Sequence, residues 1–280
     1  MFPQSSINNM RTFLLILLLS TALPVSAQEQ YITEEGIRYY ADSVNARDGY
    51  LASRCVLDIY YPKNLRQFAT IVWFHGGGLT GGTKTIPTAL MNSGYAVIGV
   101  EYRLSPLVKA PAYIEDAAAA IAWVFNNIGR YGGDSNLIFV AGHSAGAYLG
   151  MMITLDREYL GKYSIDANKI AALIPFSGQA ITHFAIREEE GIQRTQPIVD
   201  EYAPLYHVRS DAPPMVLITG DRELELLGRY EENAYLLRMM KLTGNTHTRL
   251  YELQGFDHSG MEEPAFALLL REVAQVIRNR

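Results

Sequence analysis

The sequence predicts an α/β protein with a mostly parallel central sheet covered by helices on both faces. From about residue 69 onward, short continuous apolar runs alternate with helical patterns, which is typical of parallel strands buried on both faces. The chain has 280 residues, of which 49% are hydrophobic and 19% charged. It is therefore long enough for one large core, and no linker divides it.

The elements follow one another in a regular order. Two early strands are predicted in IRYYADSV and in RCVLDIYYP, residues 54–62. The later elements are the strands FATIVWFHGGG and YAVIGVEYRLS, a helix over 111–127, a strand over 137–141 with a helix over 147–155, the strands KIAALIPFSG and PPMVLITGD, the helix YEENAYLLRMMKLTG, the strand TRLYELQG and a helix over 264–277. In such sheets the reactive groups gather where the strands end, so the turns after the apolar runs are the places to search.

The N-terminus has the layout of a secretory signal. Residues 10–27, MRTFLLILLLSTALPVSA, join one basic residue, a leucine-rich run and small residues, which predicts cleavage after Ala27. The run is short for a membrane span, so a retained anchor is the weaker alternative. We expect an exported mature chain, periplasmic or extracellular and not inserted in a membrane, formed by one domain over residues 28–280.

Composition narrows the classes of partner. The net charge of −5 gives no sign of a nucleic-acid partner. The single cysteine, Cys55, has no second cysteine with which to form an internal disulfide, and we expect a buried, inert thiol.

Ser144 stands in a strand-to-helix turn. The strand residues 137–141 precede it, and Gly142 and Gly146 flank it at two residues on either side, where a Cβ would collide with the opposite arm of a tight turn. A Gly-x-Ser-x-Gly sequence between a strand and a helix is the context of a nucleophile elbow. The alternative is a structural glycine turn.

A second glycine motif, HGGG, follows an earlier strand at residues 75–78. Because glycines let backbone N–H groups approach a substrate closely, the amides of Gly77 and Gly78 with that of Ala145 are predicted to form an oxyanion hole. His75 is predicted to anchor this loop. A merely flexible loop is the alternative.

His258, in GFDHSGM, is the candidate general base, since it is the only histidine after the last predicted strand. It would take the proton of Ser144 and return it to the leaving group.

Of the three candidate catalytic residues, the acid that would orient the histidine is the least clearly defined. VLITGDRELELL offers Asp221, Glu223 and Glu225 after a buried strand. We favour Glu223, three residues past the glycine that ends the strand, with Asp221 as its rival and Asp257 as a distant third.

Together these stretches resemble the α/β-hydrolase fold, in particular the hormone-sensitive lipase-like and feruloyl or acetyl esterase-like enzymes. The matching stretches, in the family's order, are HGGG, EYRL, YGGDSNLIFVAGHSAG, APLYHV, PPMVLITGD and GFDHSGM. The resemblance implies a Ser–acid–His triad in that chain order, without a metal or an organic cofactor. Three positions depart from the family's pattern: Glu223 stands where Asp is usual, Ala147 replaces a common glycine, and Leu79 replaces a large aromatic residue.

Residues 179–211 are predicted to form a lid-like insertion. Their charges, Arg187, Glu188 to Glu190 and Arg194, indicate a solvated face and not a greasy lipase lid. With export and the resemblance, this favours hydrolysis of short-acyl, acetyl or feruloyl esters on carbohydrate. Two alternatives remain at this point: an amide hydrolase of arylformamidase or peptidase type on the same fold, and a non-catalytic binding protein.

Overall fold

A computed structural model describes residues 30–280 around a single eight-stranded sheet. The strands are β1 (Tyr31–Arg38), β2 (Val56–Pro62), β3 (Phe68–Phe74), β4 (Ala96–Val100), β5 (Gly133–His143), β6 (Ala172–Phe176), β7 (Met215–Gly220) and β8 (Thr248–Leu253). Their order across the sheet is β1-β2-β4-β3-β5-β6-β7-β8. β2 is antiparallel to β1 and to β4, and every other pair is parallel, which confirms the predicted fold class.

Helices cover both faces of this sheet. They are α1 (Asp42–Asn45), α2 (Gly49–Arg54), α3 (Ala112–Tyr131), α4 (Ala145–Leu155), α5 (Arg157–Gly161), α6 (Phe184–Glu189), α7 (Arg229–Leu242) and α8 (Glu262–Arg278). Along β3, Ile71 and Trp73 join the apolar layer beneath α8, whereas Val72 and Phe74 join the layer beneath α3 and α4. Two buried faces explain why the strand reads as a continuous apolar run.

The predicted strand IRYYADSV is wrong beyond Arg38, where β1 ends. Tyr39 and Tyr40 turn inward instead: the Tyr39 hydroxyl donates to the Glu101 carbonyl oxygen, and that of Tyr40 donates to Asp116. Because these side chains leave the plane of the sheet to reach polar partners, the chain turns there, and the short helix α1 follows.

The predicted signal segment, residues 1–27, lies outside the described residues. Within residues 30–280, no helix is both long and apolar enough to cross a membrane. Cys55 is buried and unpaired, as expected.

The parallel arrangement determines where the candidate residues meet. β3, β5, β7 and β8 end at the same edge of the sheet, so the loops that follow them converge. These loops carry the HGGG motif, Ser144, the acidic segment 221–225 and His258.

Candidate active site

Ser144 occupies a strained turn between β5 and α4, with φ 54° and ψ −114°. Only glycine fits at the two flanking positions, because a Cβ there would collide with backbone atoms. A Cβ on Gly146 would lie 2.0 Å from the carbonyl oxygen of Phe74, and one on Gly142 would lie 2.7 Å from the carbonyl carbon of Gly146. Such distances are far below van der Waals contact, so the structure confirms the tight turn predicted from the sequence. Strain of this kind at a polar side chain is a mark of functional sites.

His258 lies within hydrogen-bonding distance of this serine, although the two are 114 positions apart in the chain. Its Nε2 is 2.9 Å from the Ser144 Oγ. The backbone of the same histidine is also held, because the Nε2–H of His143 donates to the His258 carbonyl oxygen at 2.8 Å. The structure therefore brings the predicted nucleophile and base together in a geometry suited to proton transfer.

The carboxylate that faces His258 is Glu225, not Glu223. Glu225 Oε2 lies 2.9 Å from the His258 Nδ1, and its side chain is 1% exposed. The prediction of Glu223 is wrong because the chain forms a helical turn after β7, in which the amide of Glu225 donates to the Asp221 carbonyl oxygen. That turn directs Glu225 inward and leaves Glu223 exposed.

The two rival aspartates have local structural roles. Asp221 accepts hydrogen bonds from the amides of Glu223 and Gly255, and so joins the loops after β7 and β8. Asp257 accepts from the amides of Ser259 and Gly260, within its own turn. Neither carboxylate pairs with the imidazole.

A fourth side chain, that of Ser177, completes this cluster. Its role is not predicted by the sequence analysis. It follows β6, is fully buried and has φ 49°. Its Oγ lies 2.9 Å from the His258 Nδ1 and is also hydrogen-bonded to Glu225. Its carbonyl oxygen accepts a 2.7 Å bond from the buried Arg229. The motif IPFSG contains no signal for this role, because the contact depends on how β6 and β7 lie side by side.

Hydrogen bonds keep the Glu225 carboxylate ionised. Burial alone would raise its pKa, but hydrogen bonds from His258, Ser177 and the amide of Gly220 outweigh burial and lower the pKa to about 2. A charged acceptor at this position fixes the His258 tautomer with the proton on Nδ1 and leaves Nε2 free to accept the serine proton.

The HGGG loop lies directly against the serine. A Cβ on Gly76 would be 3.5 Å from the Ser144 Cβ, and Gly77 and Gly78 both have positive φ, 118° and 65°. Within residues 30–280, the amides of Gly77 and Gly78 donate to no protein acceptor. Both amides are thus available to a ligand beside the serine.

His75 anchors this loop, as expected. Its Nε2 lies 2.9 Å from Glu101 Oε1, its ring stacks on Tyr102, and Glu101 also pairs with Arg54 at 2.7 Å. Burial would raise the pKa of Glu101, but hydrogen bonds from His75 and from the Lys84 amide lower it.

The neighbouring Arg103 pairs with Asp116 of α3 through two hydrogen bonds of 2.7 and 2.8 Å. This pair is structural.

The segment between β6 and β7 contains α6 and packs on the site. The Phe184 ring lies against the HGGG loop, since a Cβ on Gly78 would be 3.1 Å from its Cζ. The prediction of a wholly solvated charged face is wrong for Arg187, which is 1% exposed. It is drawn inward because it lies one helical turn after Phe184 and its Nη1 donates to the Gln196 carbonyl oxygen.

A serine, a histidine and a glutamate joined by hydrogen bonds at the carboxyl edge of this sheet define the chain as an α/β-hydrolase. The profile of the BD-FAE family matches residues 57–226, more than half of the chain. The chain therefore belongs to the BD-FAE family.

Two proteins that are similar in sequence to this chain are named as esterases. Esterase LipC of Mycobacterium tuberculosis is 24% identical over 252 residues, covering 78% of this chain and 62% of LipC. Carboxylesterase NlhH of the same species is 39% identical over 110 residues, covering 37% of this chain and 34% of NlhH. The chain thus spans less than two thirds of the length of these relatives.

A solved structure shows the same fold over nearly the whole chain. It is described as a truncated form of a carbohydrate esterase from gut microbiota, and it superposes with a TM-score of 0.70 at 20% identity, covering 90% of this chain and 98% of that one. Within residues 30–280, no group of three or more His, Cys, Asp or Glu side chains could hold a metal ion.

Proposed function

We propose that this chain is a carboxylic ester hydrolase that works through an acyl-enzyme on Ser144. The observation that carries the proposal is the hydrogen-bonded series Ser144 Oγ, His258 Nε2, His258 Nδ1 and Glu225 Oε2, with 2.9 Å at each contact. The esterase names of the relatives support the same reaction class.

The geometry supports a two-step reaction. His258 accepts the Ser144 proton as the Oγ attacks the ester carbonyl carbon, and the imidazolium formed is stabilised by Glu225. The oxyanion accepts hydrogen bonds from the amides of Gly77, Gly78 and Ala145, each typically worth about 3 kcal/mol in the transition state. His258 then gives its proton to the departing alcohol. In the second step water attacks the acyl-enzyme, His258 accepts its proton, and the free acid leaves as Ser144 is reprotonated.

The substrate class proposed is a short-acyl ester on a bulky polar alcohol, such as an acetyl or feruloyl ester of carbohydrate. The Phe184 ring packs on the HGGG loop beside the serine, and we propose that it limits the space for a long aliphatic acyl chain. The rim of the same segment is polar, since Glu188 and Arg194 are about half exposed and form an ion pair of 3.2 Å. We also propose export as part of the function, because the sequence predicts a secretory signal before residue 28 and export would bring the enzyme to such substrates.

Labelling with a fluorophosphonate tests the nucleophile. We expect one covalent adduct on Ser144, located by peptide mass spectrometry, and no adduct in Ser144→Ala. Absence of any adduct in the folded wild-type chain would contradict the acyl-enzyme mechanism.

An ester panel tests the substrate class. The panel runs from 4-nitrophenyl acetate to palmitate and includes acetylated xylan, methyl ferulate and one anilide. We expect turnover of the short esters and the carbohydrate esters. Preference for palmitate, or for the anilide, would overturn the assignment of substrate.

A further inference from the structure

A cavity of about 410 Å³ lies between the segment after β6 and the first turn of α7. Its wall includes Arg187, Arg194, Leu227, Gly228, Glu231 and Glu232. Two links connect it to the active site. Leu227 is two residues past Glu225, and the guanidinium of Arg194 lies 4.5 Å from the centre of the Phe184 ring, the ring that packs on the HGGG loop.

One guanidinium group in the wall of this cavity and a second one beside it are buried, and neither has a carboxylate within ion-pair distance among residues 30–280. Arg187, in the wall, is 1% exposed, and Arg229, next to Gly228, is 0% exposed. Each donates to a carbonyl oxygen, that of Gln196 for Arg187 and that of Ser177 for Arg229. Within residues 30–280, the Nε of both and the Nη2 of Arg229 have no hydrogen-bond partner. Buried charge without a partner is costly, so a cavity with Arg187 in its wall is suited to an anion.

The nearby carboxylates do not pair with Arg187 or Arg229, because each of them already has another interaction within the fold. Glu232 accepts hydrogen bonds from the amides of Ala180 and Ile181, at 2.9 and 3.4 Å. Glu188 pairs with Arg194 at 3.2 Å. Glu231 lies in the first turn of α7, where a negative charge is stabilised by the helix N-terminus.

The nearby carboxylates thus have other partners, whereas the Nε atoms of Arg187 and Arg229 and the Nη2 of Arg229 lack an acceptor. Burial lowers the pKa of Arg229, and the like charge of Arg187 lowers it further, against opposing effects of Glu232 and Glu225. An additional anion at the cavity wall would relieve this unfavourable balance of charge.

We propose that this cavity binds a carboxylate of the ester substrate, with Arg187 and Arg194 as the donors. The substrate class is therefore an ester with a free carboxylate on one of its two halves: a hemiester of a dicarboxylic acid, or an ester of an acidic alcohol such as a uronate. Guanidinium groups suit this task because they bind carboxylates through directed, charge-assisted hydrogen bonds. The proposal rests on the esterase function proposed above.

Two matched substrate pairs test it. For the acyl half, 4-nitrophenyl hydrogen glutarate is compared with 4-nitrophenyl valerate, and for the alcohol half, 4-(acetoxymethyl)benzoate is compared with benzyl acetate. We expect the wild-type chain to prefer the anionic member of one pair by about tenfold in kcat/KM, mainly through KM, as a single favourable charged contact provides. The pair that shows the preference identifies the half that carries the carboxylate.

Arg194→Gln is the deciding variant, because its side chain is half exposed. It should abolish the preference for the anionic ester, whereas loss of its contact with the Phe184 ring should affect the charged and neutral members of a pair equally. Arg157→Gln is the matched control, since that arginine is exposed to the same 50% and is also ion-paired, but with Asp211 and outside the cavity. Arg187→Gln should abolish the preference as well, and if it does not fold, Arg194→Gln decides alone.

Equal rates on charged and neutral esters in both pairs, or a preference that survives in Arg194→Gln, would overturn this inference. Neutral-ester turnover and Ser144 labelling would still stand in that case. Loss of those two activities in the wild-type chain would instead contradict the esterase function.

Discussion

The elbow after β5 and the loop after β7 each place one side chain beside His258. The two side chains, Ser144 and Glu225, are held in different ways. The elbow holds Ser144 by backbone sterics: Gly142 and Gly146 let two arms of the chain touch, and no other residue fits there. The loop after β7 holds Glu225 by side-chain hydrogen bonds from distant elements. The first arrangement is local and rigid, whereas the second depends on the assembled sheet.

The largest expected effect concerns the elbow. Gly146→Ala places a Cβ 2.0 Å from the Phe74 carbonyl oxygen, so we expect a loss of more than about 4 kcal/mol in the free energy of unfolding, as for other severe core clashes. Denaturant titration measures it. The control is Gly129→Ala in α3, where the Cβ meets open space and should stabilise the helix by up to about 1 kcal/mol. A fully stable Gly146→Ala would show that the elbow is not held by contact.

The second prediction concerns the histidine next to the elbow. Burial and the nearby His258 lower the pKa of His143 from 6.5 to about 4. As pH falls below 6.5 the unfolded chain takes up this proton before the folded chain does, so stability is lost down to about pH 4. Between pH 7 and 4.5 this costs about 2.5 kcal/mol.

His143→Gln should remove that part of the pH dependence of the free energy of unfolding. The exposed His247→Gln should keep it. Identical acid sensitivity in His143→Gln and the wild-type chain would contradict the assignment.

The smallest effect concerns the loop after β7. Ser177→Ala removes one hydrogen bond to Glu225, and we expect kcat/KM to fall about tenfold. The pKa of Glu225 should rise, since this bond helps to lower it, so the loss should grow toward acid pH. Ser259→Ala, exposed beside His258, serves as the control. An unchanged pH profile in Ser177→Ala would show that Ser177 does not position the glutamate.

The same contrast explains what the sequence could reveal. The apolar runs predicted the parallel sheet, and the glycines around Ser144 predicted the elbow, because both patterns reflect constraints that act within a few residues. The choice among Asp221, Glu223 and Glu225 could not be made this way. It depends on a helical turn after β7 and on contacts with Ser177 and His258, which lie 48 and 33 residues away along the chain.

The burial of the Arg187 charge could not be predicted from the sequence for the same reason. Arg187 sits in a run of charged residues that is typical of a solvated surface, but the run wraps around a helix, and one turn of it faces inward with Phe184. Only the packing of α6 on the HGGG loop reveals which charge is buried.

A comparison of Glu225→Gln with Glu223→Gln on a short-acyl ester decides which carboxylate orients His258. The structure predicts that kcat/KM falls by roughly 10³- to 10⁴-fold in Glu225→Gln, as when other triad acids are removed, with Ser144 and His258 still in place. It predicts that Glu223→Gln stays within about twofold of the wild-type chain, in line with the small effects of exposed side chains. A large loss of kcat/KM in Glu223→Gln, together with full activity of Glu225→Gln, would show that Glu225 is not the acid that orients His258.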